Sequence, residues 1–419
     1  METSKIYLCI DLKSFYASVE CVERGLDPFE INLVVADPTR GKGAITLAAT
    51  PAIKKLGIKS RGRIYEIPET IDYIIAMPRM HLYMEYAAKI YGIFLKYIAK
   101  EDIHVYSIDE SFFDISSYLS LYHTTPKELA LRIVQDVFAQ TGITASIGIG
   151  TNLFLAKVAL DILAKQSEDH IGFLDEDLFR QKLWHYQPIT DFWMIAQGTA
   201  QHLARLGIRD LWGITRFPEE ILYREFGVNA EILIDHAWGK EPVQIQDIKA
   251  YRPKGNSISY SQILFSDYPF KDAYLILKEM VDTHVLRLVR NHLVTDHISL
   301  FIGYSKNIRK PSRGSCTITN RTNSYQILME EYRLLFQRIC DPAYPVRQIA
   351  ITFGHLQDEM YEQWDLFADR SFLEKEHKLQ KTLIQIKDRY GKNAVLKGMN
   401  LLEAATARYR NTTIGGHRA

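Results

Sequence analysis

Two short acidic windows, far apart in the chain, most constrain how this sequence can fold. In the first, Asp11 follows the apolar, strand-like run 6–10 and leads into a helical pattern. In the second, Asp109 and Glu110 join two β-prone runs. Because neighbouring residues of an extended strand point to opposite faces, Asp109 and Glu110 can serve one site only at a turn or a bulge. A strand end carrying Asp11 beside that turn would bring three carboxylates together.

Three carboxylates at one place supply the hard oxygen ligands that Mg²⁺ prefers, with water and substrate phosphates completing its coordination. The alternative is that each acidic window is an ordinary solvated turn, as most isolated Asp-Glu pairs are. The neighbouring residues distinguish the two interpretations. Phe15-Tyr16 follows the first window, and Ser107-Ile108 stands directly before the second pair of acids.

These two strings resemble the signatures of the Y-family (translesion) DNA polymerases, which have an Asp followed by Phe-Tyr-Ala-x-Val-Glu and, later, Ser-Ile-Asp-Glu. The resemblance extends well over about the first 355 residues and in part over the remainder. It implies a DNA-directed DNA polymerase with two Mg²⁺ ions in its active site. By that resemblance, Asp11 and Asp109 bridge the ions, Glu110 completes the catalytic one and the Leu12 carbonyl assists the other.

The predicted elements support an α+β multidomain fold of the right-hand polymerase type. A β-α-β-β-α-β order occurs twice, which predicts a ferredoxin-like palm and a ferredoxin-like little finger. Between them lies a helical thumb with a helix-hairpin-helix pattern, where Met194-Ile195-Ala196 replaces the family's Gly-Ile-Gly; the loss of glycine favours thumb packing over strong DNA binding at this turn. The expected domains are the palm (1–30 and 80–169), the fingers (31–79), the thumb (170–240), a linker (241–253), the little finger (254–356) and a C-terminal tail (357–419).

The resemblance also implies a nucleotide pocket. Tyr16 matches the steric gate, an aromatic ring that leaves no room for a ribose 2′-hydroxyl, whereas Phe15 fits core packing and a place beneath the sugar. The family's phosphate-binding Tyr and Arg of the fingers are replaced by Pro51 and Lys54, so this contact keeps its charge but loses the bidentate guanidinium. Lys157, in a segment that matches Asn-x-x-x-Ala-Lys, is the second expected phosphate-binding cation.

Charge is distributed unevenly, although the net charge of the chain is only +1. Residues 1–243 carry −7, residues 244–356 carry +6 and residues 357–419 carry +2. A basic module beside an acidic half fits a protein that grips nucleic-acid phosphates with one part and binds metal with another. A basic solvated loop is the alternative for 306–313. The expected DNA-binding residues are Lys254, Ser257, Ser259, Lys306, Arg309, Lys310, Arg313 and Arg321.

Gln363, Leu366 and Phe367 match the bacterial sliding-clamp peptide, in which the apolar pair fills a pocket and Gln fixes the register. Its place after the little finger, and Lys54 in the fingers, indicate the UmuC-type (polymerase V catalytic subunit) branch. The resemblance therefore implies primer–template DNA, dNTPs and the bacterial sliding clamp (beta) as partners. The same resemblance suggests two further partners, a UmuD-like accessory subunit and a recombinase filament. The sequence does not show whether either is required.

Composition excludes few function classes. No apolar run approaches the roughly 18 residues that span a bilayer, and no signal peptide is evident at the N-terminus. The four cysteines lack CxxC spacing, which indicates reduced thiols and a cytoplasmic location without membrane contact.

Two other functions fit part of the pattern. A nucleotidyl cyclase shares the palm topology and the acids, but needs neither the basic module nor the clamp peptide. A catalytically weak DNA-bound repair scaffold would not need Asp11, Asp109 and Glu110. The favoured interpretation is error-prone translesion DNA synthesis in DNA damage tolerance and SOS mutagenesis.

Overall fold

The computed structural model describes residues 5–253, 255–306, 308–361 and 370–419. It divides into two compact units, one reaching to Tyr251 and the other running from Arg252 to His417. Within the described ranges, no helix is both long enough and apolar enough to cross a membrane.

The first unit contains eight β-strands among the residues described. They are β1 (Tyr7–Leu12), β2 (Leu33–Ala36), β3 (Thr46–Ala49), β4 (Ile74–Ala76), β5 (Ile103–Val105), β6 (Glu110–Asp114), β7 (Ala145–Gly150) and β8 (Ile171–Leu174). Its helices are α1 (Phe15–Val22), α2 (Pro51–Lys55), α3 (Met80–Phe94), α4 (Ser116–Leu121), α5 (Pro126–Thr141), α6 (Leu153–Val158), α7 (Glu176–Leu183), α8 (Gln197–Arg205), α9 (Leu211–Arg216), α10 (Glu219–Phe226), α11 (Asn229–Ala237) and α12 (Ile245–Ala250).

A five-stranded sheet of order β5-β6-β1-β7-β8 forms the centre of this unit. The apolar strand β1 lies in the middle and pairs antiparallel with both β6 and β7. Its residues Tyr7–Ile10 are buried, as expected for a strand covered on both faces. The helix α5 begins with a capping box, in which Thr125 accepts a hydrogen bond from the Glu128 backbone N–H. This is the predicted ferredoxin-like palm.

A small three-stranded sheet of order β3-β2-β4 occupies the region predicted as fingers. Its core consists of Val34, Ala49, Ile53 and Ile67. Pro51 begins the short helix α2, where the absence of an N–H costs nothing because the first helical N–H groups have no intrahelical acceptor.

Helices α7 to α11 follow, and their apolar faces share a core centred on Phe179, Leu203 and Leu233. The thumb region is therefore helical, as predicted. The segment 241–253, predicted as a linker, contains α12. Ile245 of this helix is fully buried against the palm, beside Tyr7.

The second unit is built on an antiparallel sheet of order β11-β10-β12-β9. Helices α13 and α14 pack on it, and their apolar faces form one core with the sheet. The bounds are β9 (Ile258–Tyr268), α13 (Phe270–Arg290), β10 (Leu293–Tyr304), β11 (Ser312–Thr322), α14 (Tyr325–Ile339), β12 (Val346–Gly354), β13 (Gln357–Asp358), α15 (Arg370–Tyr390), α16 (Ala407–Arg410), β14 (Thr413–Ile414) and β15 (His417–Arg418).

The segment predicted as a C-terminal tail is, where described, folded onto this unit. The buried carboxylate of Glu279, on α13, accepts hydrogen bonds from Asn400 Nδ2 at 2.9 Å and from the backbone N–H groups of Thr406 at 2.8 Å and Ala407 at 3.0 Å. We call this arrangement the Glu279 clasp. It makes residues 400–407 part of the packing of the second unit, in addition to the helix α15 that packs on α13.

Candidate active site

The two acidic windows meet at one end of the central sheet. Asp11, in β1, is the direct cross-strand partner of Glu110, the first residue of β6. The Leu12 backbone N–H donates a hydrogen bond to the Asp109 carbonyl at 2.8 Å. The pairing of β1 with β6 thus brings together the three carboxylates that the sequence predicted to share a site.

Asp109 lies in the bend directly before β6, as the turn prediction required. Its carboxylate accepts a hydrogen bond from Ser107 Oγ at 2.6 Å. The bend frees Asp109 from the strict alternation of the strand, so that it and Glu110 need not point to opposite faces.

The pKa of the Asp11 carboxyl group is shifted by its surroundings. Burial, followed by the negative charges of Asp109 and Glu110, raises the pKa of Asp11 to about 7. Carboxylates that repel one another in this way are stabilised by a bound cation, and hard oxygen donors suit Mg²⁺. The donor set therefore fits a divalent metal ion.

The site is nevertheless not preassembled for a metal ion. Among the residues described, no three His, Cys, Asp or Glu side chains are already arranged to hold one. Glu110 is engaged with other groups: its carboxylate is 2.9 Å and 3.0 Å from Lys157 Nζ and accepts a hydrogen bond from Cys9 Sγ at 3.2 Å. As placed, Glu110 is paired with a lysine.

Lys157 is held beside Glu110 by close packing of α6 on β7. A Cβ atom at Gly148 would lie 2.0 Å from the Ala156 carbonyl oxygen, and one at Gly150 would lie 2.2 Å from the Ala156 nitrogen. Only glycine allows this approach. The Lys157 side chain is 10% exposed, and its Nζ also contacts Asp161 at 2.9 Å. Burial disfavours the charged ammonium, but Asp161 and Glu110 outweigh burial and raise the pKa of Lys157 above its ordinary value.

Tyr16, the predicted gate, stacks on Tyr83 of α3, with ring centroids 4.5 Å apart and an interplanar angle of 16°. Burial, followed by the negative charge of Asp109, raises the pKa of Tyr16 above its ordinary value. Phe15 is buried beside it, with centroids 5.8 Å apart. Phe15 is therefore a core residue, whereas Tyr16 is only partly buried.

The buried carboxylate of Glu20 holds Tyr83, the residue on which Tyr16 stacks. Glu20 accepts hydrogen bonds from the Tyr83 hydroxyl at 2.7 Å and from Arg79 at 2.8 and 3.0 Å, and it also pairs with Arg24. Burial opposes its charge, but these hydrogen bonds lower the pKa of Glu20 below its ordinary value. Sequence reasoning missed the role of Tyr83 because nothing in α3 marks it as a partner of Tyr16.

The predicted phosphate-binding Lys54 lies near the acids. Its Nζ donates a hydrogen bond to Ser14 Oγ at 2.7 Å. Burial lowers the pKa of Lys54, while the charge of Asp11 opposes the change. Two further cations were not predicted. Lys165, 61% exposed and 3.4 Å from Asp161, acts electrostatically on Lys54, and Arg61 acts on Tyr16. Exposed basic residues of this kind carry no distinguishing sequence signal.

The thumb turn keeps a conformation that normally suits glycine. Met194 has φ +68°, in the left-handed region. Its side chain is 56% exposed, while Ile195 is buried. The chain therefore adopts this turn despite the loss of the family's glycine, at a cost in backbone strain.

The predicted DNA-binding residues of the second unit differ in their surroundings. Lys254 and the clamp peptide residues Gln363, Leu366 and Phe367 lie outside the described residues. Arg309 pairs with Asp341, and Arg321 contacts Asp296 at 3.2 Å. The other predicted residues are surface residues on or near the sheet, namely Ser257, Ser259, Lys306, Lys310 and Arg313.

Ser259 belongs to a row of hydroxyls that crosses this sheet. The strand registers pair Ser315 with Ser299, Ser299 with Thr352, and Thr352 with Ser259. Ser259 Oγ and Thr352 Oγ1 are 2.8 Å apart. Two residues before Ser315, on the same face of β11, lies Arg313, whose guanidinium lies over the Phe301 ring. We call Ser315, Ser299, Thr352 and Ser259 the hydroxyl row.

Comparison with known proteins agrees with this architecture. Residues 10–161 match the impB/mucB/samB family, and residues 256–366 match the C-terminal domain of the same family. The chain is 33% identical to the UvrX protein of Bacillus subtilis, which carries the name of a UV-damage repair protein, over 99% of this chain and 98% of the relative. It is 29% identical to DNA polymerase IV 2 of the same organism over the full length of both chains.

Among solved structures, a Y-family DNA polymerase chimera matches with a TM-score of 0.63 and 21% identity, covering 84% of this chain and 98% of that one. This similarity shows the fold. Together with the relatives and the family matches, it shows that the chain belongs to the Y-family of DNA polymerases, which are DNA-directed DNA polymerases. Its similarity is to UvrX and DNA polymerase IV 2, and the UmuC-type placement stays a prediction.

Proposed function

We propose that this protein extends a DNA primer along a damaged template by two-metal nucleotidyl transfer, and that its copying is error-prone. The observation that carries the proposal is the assembly of Asp11, Asp109 and Glu110 by the pairing of β1 with β6. This is the arrangement that family membership leads one to expect at a polymerase active site.

Asp11 and Asp109 would hold both Mg²⁺ ions, with Glu110 on the catalytic one and the Leu12 carbonyl on the other. When bound, the ions would activate the primer 3′-oxygen and neutralise the charge that develops on the triphosphate. The raised pKa of Asp11 supports this role, because it reflects repulsion that a cation relieves. To take up the ion, Glu110 would give up its contact with Lys157.

The nucleotide would lie between the aromatic gate and the lysines. Tyr16, supported from behind by Tyr83, would exclude a ribose 2′-hydroxyl by contact. Lys54 and Lys165, whose charges act on each other, would face the triphosphate. Lys157 was expected to do the same. Its burial between Glu110 and Asp161 supports instead a role in which it organises the carboxylates.

The hydroxyl row and Arg313 would hold the template backbone. Hydroxyls and guanidinium groups bind phosphate oxygens without regard to base identity. A surface of this chemistry suits an enzyme that copies distorted templates. Participation in the SOS response, tethering by the sliding clamp and the need for a UmuD-like subunit or a recombinase filament belong to the same proposal.

Primer extension with the purified chain tests this function. The wild type should extend a primer in the presence of Mg²⁺ and dNTPs, and Asp109→Ala should lose activity by on the order of 10³-fold or more while retaining DNA binding. Asp136→Asn, at a partly buried ion-paired aspartate of α5, is the matched control and should remain active. Extension by Asp109→Ala at near the wild-type rate would refute the assignment.

A further inference from the structure

Lys157 bridges two carboxylates that belong to different parts of the palm. Its Nζ is 2.9 Å from Glu110 and 2.9 Å from Asp161. Asp161 lies in a π-helical turn, Ala159–Ala164, which directly follows α6. Such turns are rare and often occur at functional sites. The structure thus gives one buried ammonium two acidic partners, only one of which is a proposed metal ligand.

An exchange of Glu110 from lysine to metal would change the surroundings of the Lys157 ammonium. If Glu110 alone paired with Lys157, its departure would leave a nearly buried ammonium without an ion-pair partner, which is unfavourable. Asp161 removes that cost because it remains in contact with Lys157. Asp161 is itself kept in place by the more exposed Lys165, at 3.4 Å.

We propose that Asp161 is a positioning residue of the metal site, which retains the Lys157 ammonium when Glu110 turns to the catalytic ion and thereby sets the affinity of the site for that ion. The proposal rests on the proposed two-metal function. It assigns no direct contact between Asp161 and the metal or the nucleotide. Without Asp161, Lys157 would compete with the ion for Glu110.

A different mechanism has to be separated from this one. Asp161 is negatively charged and its charge acts on Asp11, so its removal could weaken cation binding through space alone. The two mechanisms differ in their dependence on Lys157. An effect that acts through Lys157 disappears when Lys157 is absent, whereas a through-space effect persists.

The test is Mn²⁺ binding, measured by electron paramagnetic resonance in a complex with a dideoxy-terminated primer–template and the matching dNTP, in which no reaction occurs. We expect Asp161→Asn to weaken Mn²⁺ binding on the order of tenfold. In the Lys157→Met background, the same substitution should change the affinity by less than about twofold. The DNA affinity of Asp161→Asn should equal that of the wild type, and Asp136→Asn should bind Mn²⁺ like the wild type.

Wild-type Mn²⁺ affinity in Asp161→Asn, or an equal loss in both backgrounds, would overturn the inference. Lys157→Gln replaces Lys157→Met if the latter fails to give a cooperative thermal transition. The proposed function is tested separately by Asp109→Ala. If Asp109→Ala loses activity and Mn²⁺ binding while Asp161→Asn does not, the metal site stands and only the role of Asp161 is refuted.

Discussion

The ring of Tyr16 stacks on that of Tyr83, and the hydroxyl of Tyr83 donates a hydrogen bond to the buried carboxylate of Glu20. Tyr16 therefore has a rigid support on the side away from solvent. A steric gate can exclude a hydroxyl group only if its ring cannot move aside. We therefore expect the stacking of Tyr16 on Tyr83, and the hydrogen bond of Tyr83 to Glu20, to contribute to sugar selection.

Replacing Tyr16 with Ala should open the pocket to ribonucleotides. We expect the ratio of kcat/KM for a dNTP to that for the matching rNTP to fall at least tenfold, with partial retention of dNTP activity. Steady-state primer extension measures this ratio. Tyr86→Ala, on the same helix as Tyr83, is the control and should leave the ratio unchanged. An unchanged ratio in Tyr16→Ala would mean that the gate lies elsewhere.

Asp11 should make the stability of the metal-free protein depend on pH. Its pKa in the folded chain, about 7, lies above its ordinary value of 3.8. Protonated Asp11 therefore favours the fold below about pH 4, and this stabilisation is lost as the pH rises through 7. Each unit of such a shift corresponds to about 1.4 kcal/mol.

Asp11→Asn should accordingly raise the Tm of the metal-free protein at pH 8 more than at pH 5. Mg²⁺ should raise the Tm of the wild type more at pH 8 than at pH 5, and should have little effect on Asp11→Asn. Calorimetric scans with and without Mg²⁺ check both statements. Equal effects of the substitution at the two pH values would contradict the assignment of the raised pKa to Asp11.

The Glu279 clasp should stabilise the second unit. In Glu279→Ala, the Asn400 amide and the N–H groups of Thr406 and Ala407 lose their acceptor inside the protein, and we expect a loss of about 3–5 kcal/mol in the free energy of unfolding. Urea denaturation and limited proteolysis should show it. Glu330→Ala, at an exposed ion pair with Arg333, should change stability by less than about 1 kcal/mol. A similarly small change for both variants would contradict the role of the clasp.

Met194 offers a test of backbone strain. Its φ of +68° costs a residue with a side chain about 1–2 kcal/mol. Met194→Gly should therefore raise the free energy of unfolding by about 0.5–1 kcal/mol, because part of the gain is offset by the greater freedom of glycine in the unfolded chain. Met194→Ala keeps the Cβ atom and should give no such gain. Equal stabilities of the Gly and Ala variants would show that the turn is not strained.

The clamp peptide can be tested independently of the fold. Leu366→Ala with Phe367→Ala should abolish binding to the bacterial sliding clamp and clamp-stimulated synthesis, because tethering acts through effective concentration at the primer end. Basal extension of short primers should persist. The matched control is Leu401→Ala with Leu402→Ala, at another exposed apolar pair. Wild-type clamp affinity in the first variant, measured by surface binding, would refute the motif.

Local patterns sufficed to predict the palm, the little finger and the meeting of the three acids. The run before Asp11 and the turn at Asp109 are encoded in adjacent residues. The pairing of Glu110 with Lys157 was not predictable, because it depends on how closely α6 approaches β7. Tyr83 and Glu279 were missed for the same reason, since each acts through a residue distant in sequence.

The Glu279 clasp also has a consequence for the order in which the chain can mature during synthesis. Domains fold as they leave the ribosome, beginning at the N-terminus. The first unit can therefore fold while translation continues. Helix α13 is synthesised long before Thr406 and Ala407. Until these two residues are available as hydrogen-bond donors, the carboxylate of Glu279 is hydrated by water. The second unit can complete its packing only after residue 407 has been synthesised. A ribosome that stalls earlier would leave a folded first unit joined to an incompletely folded second unit.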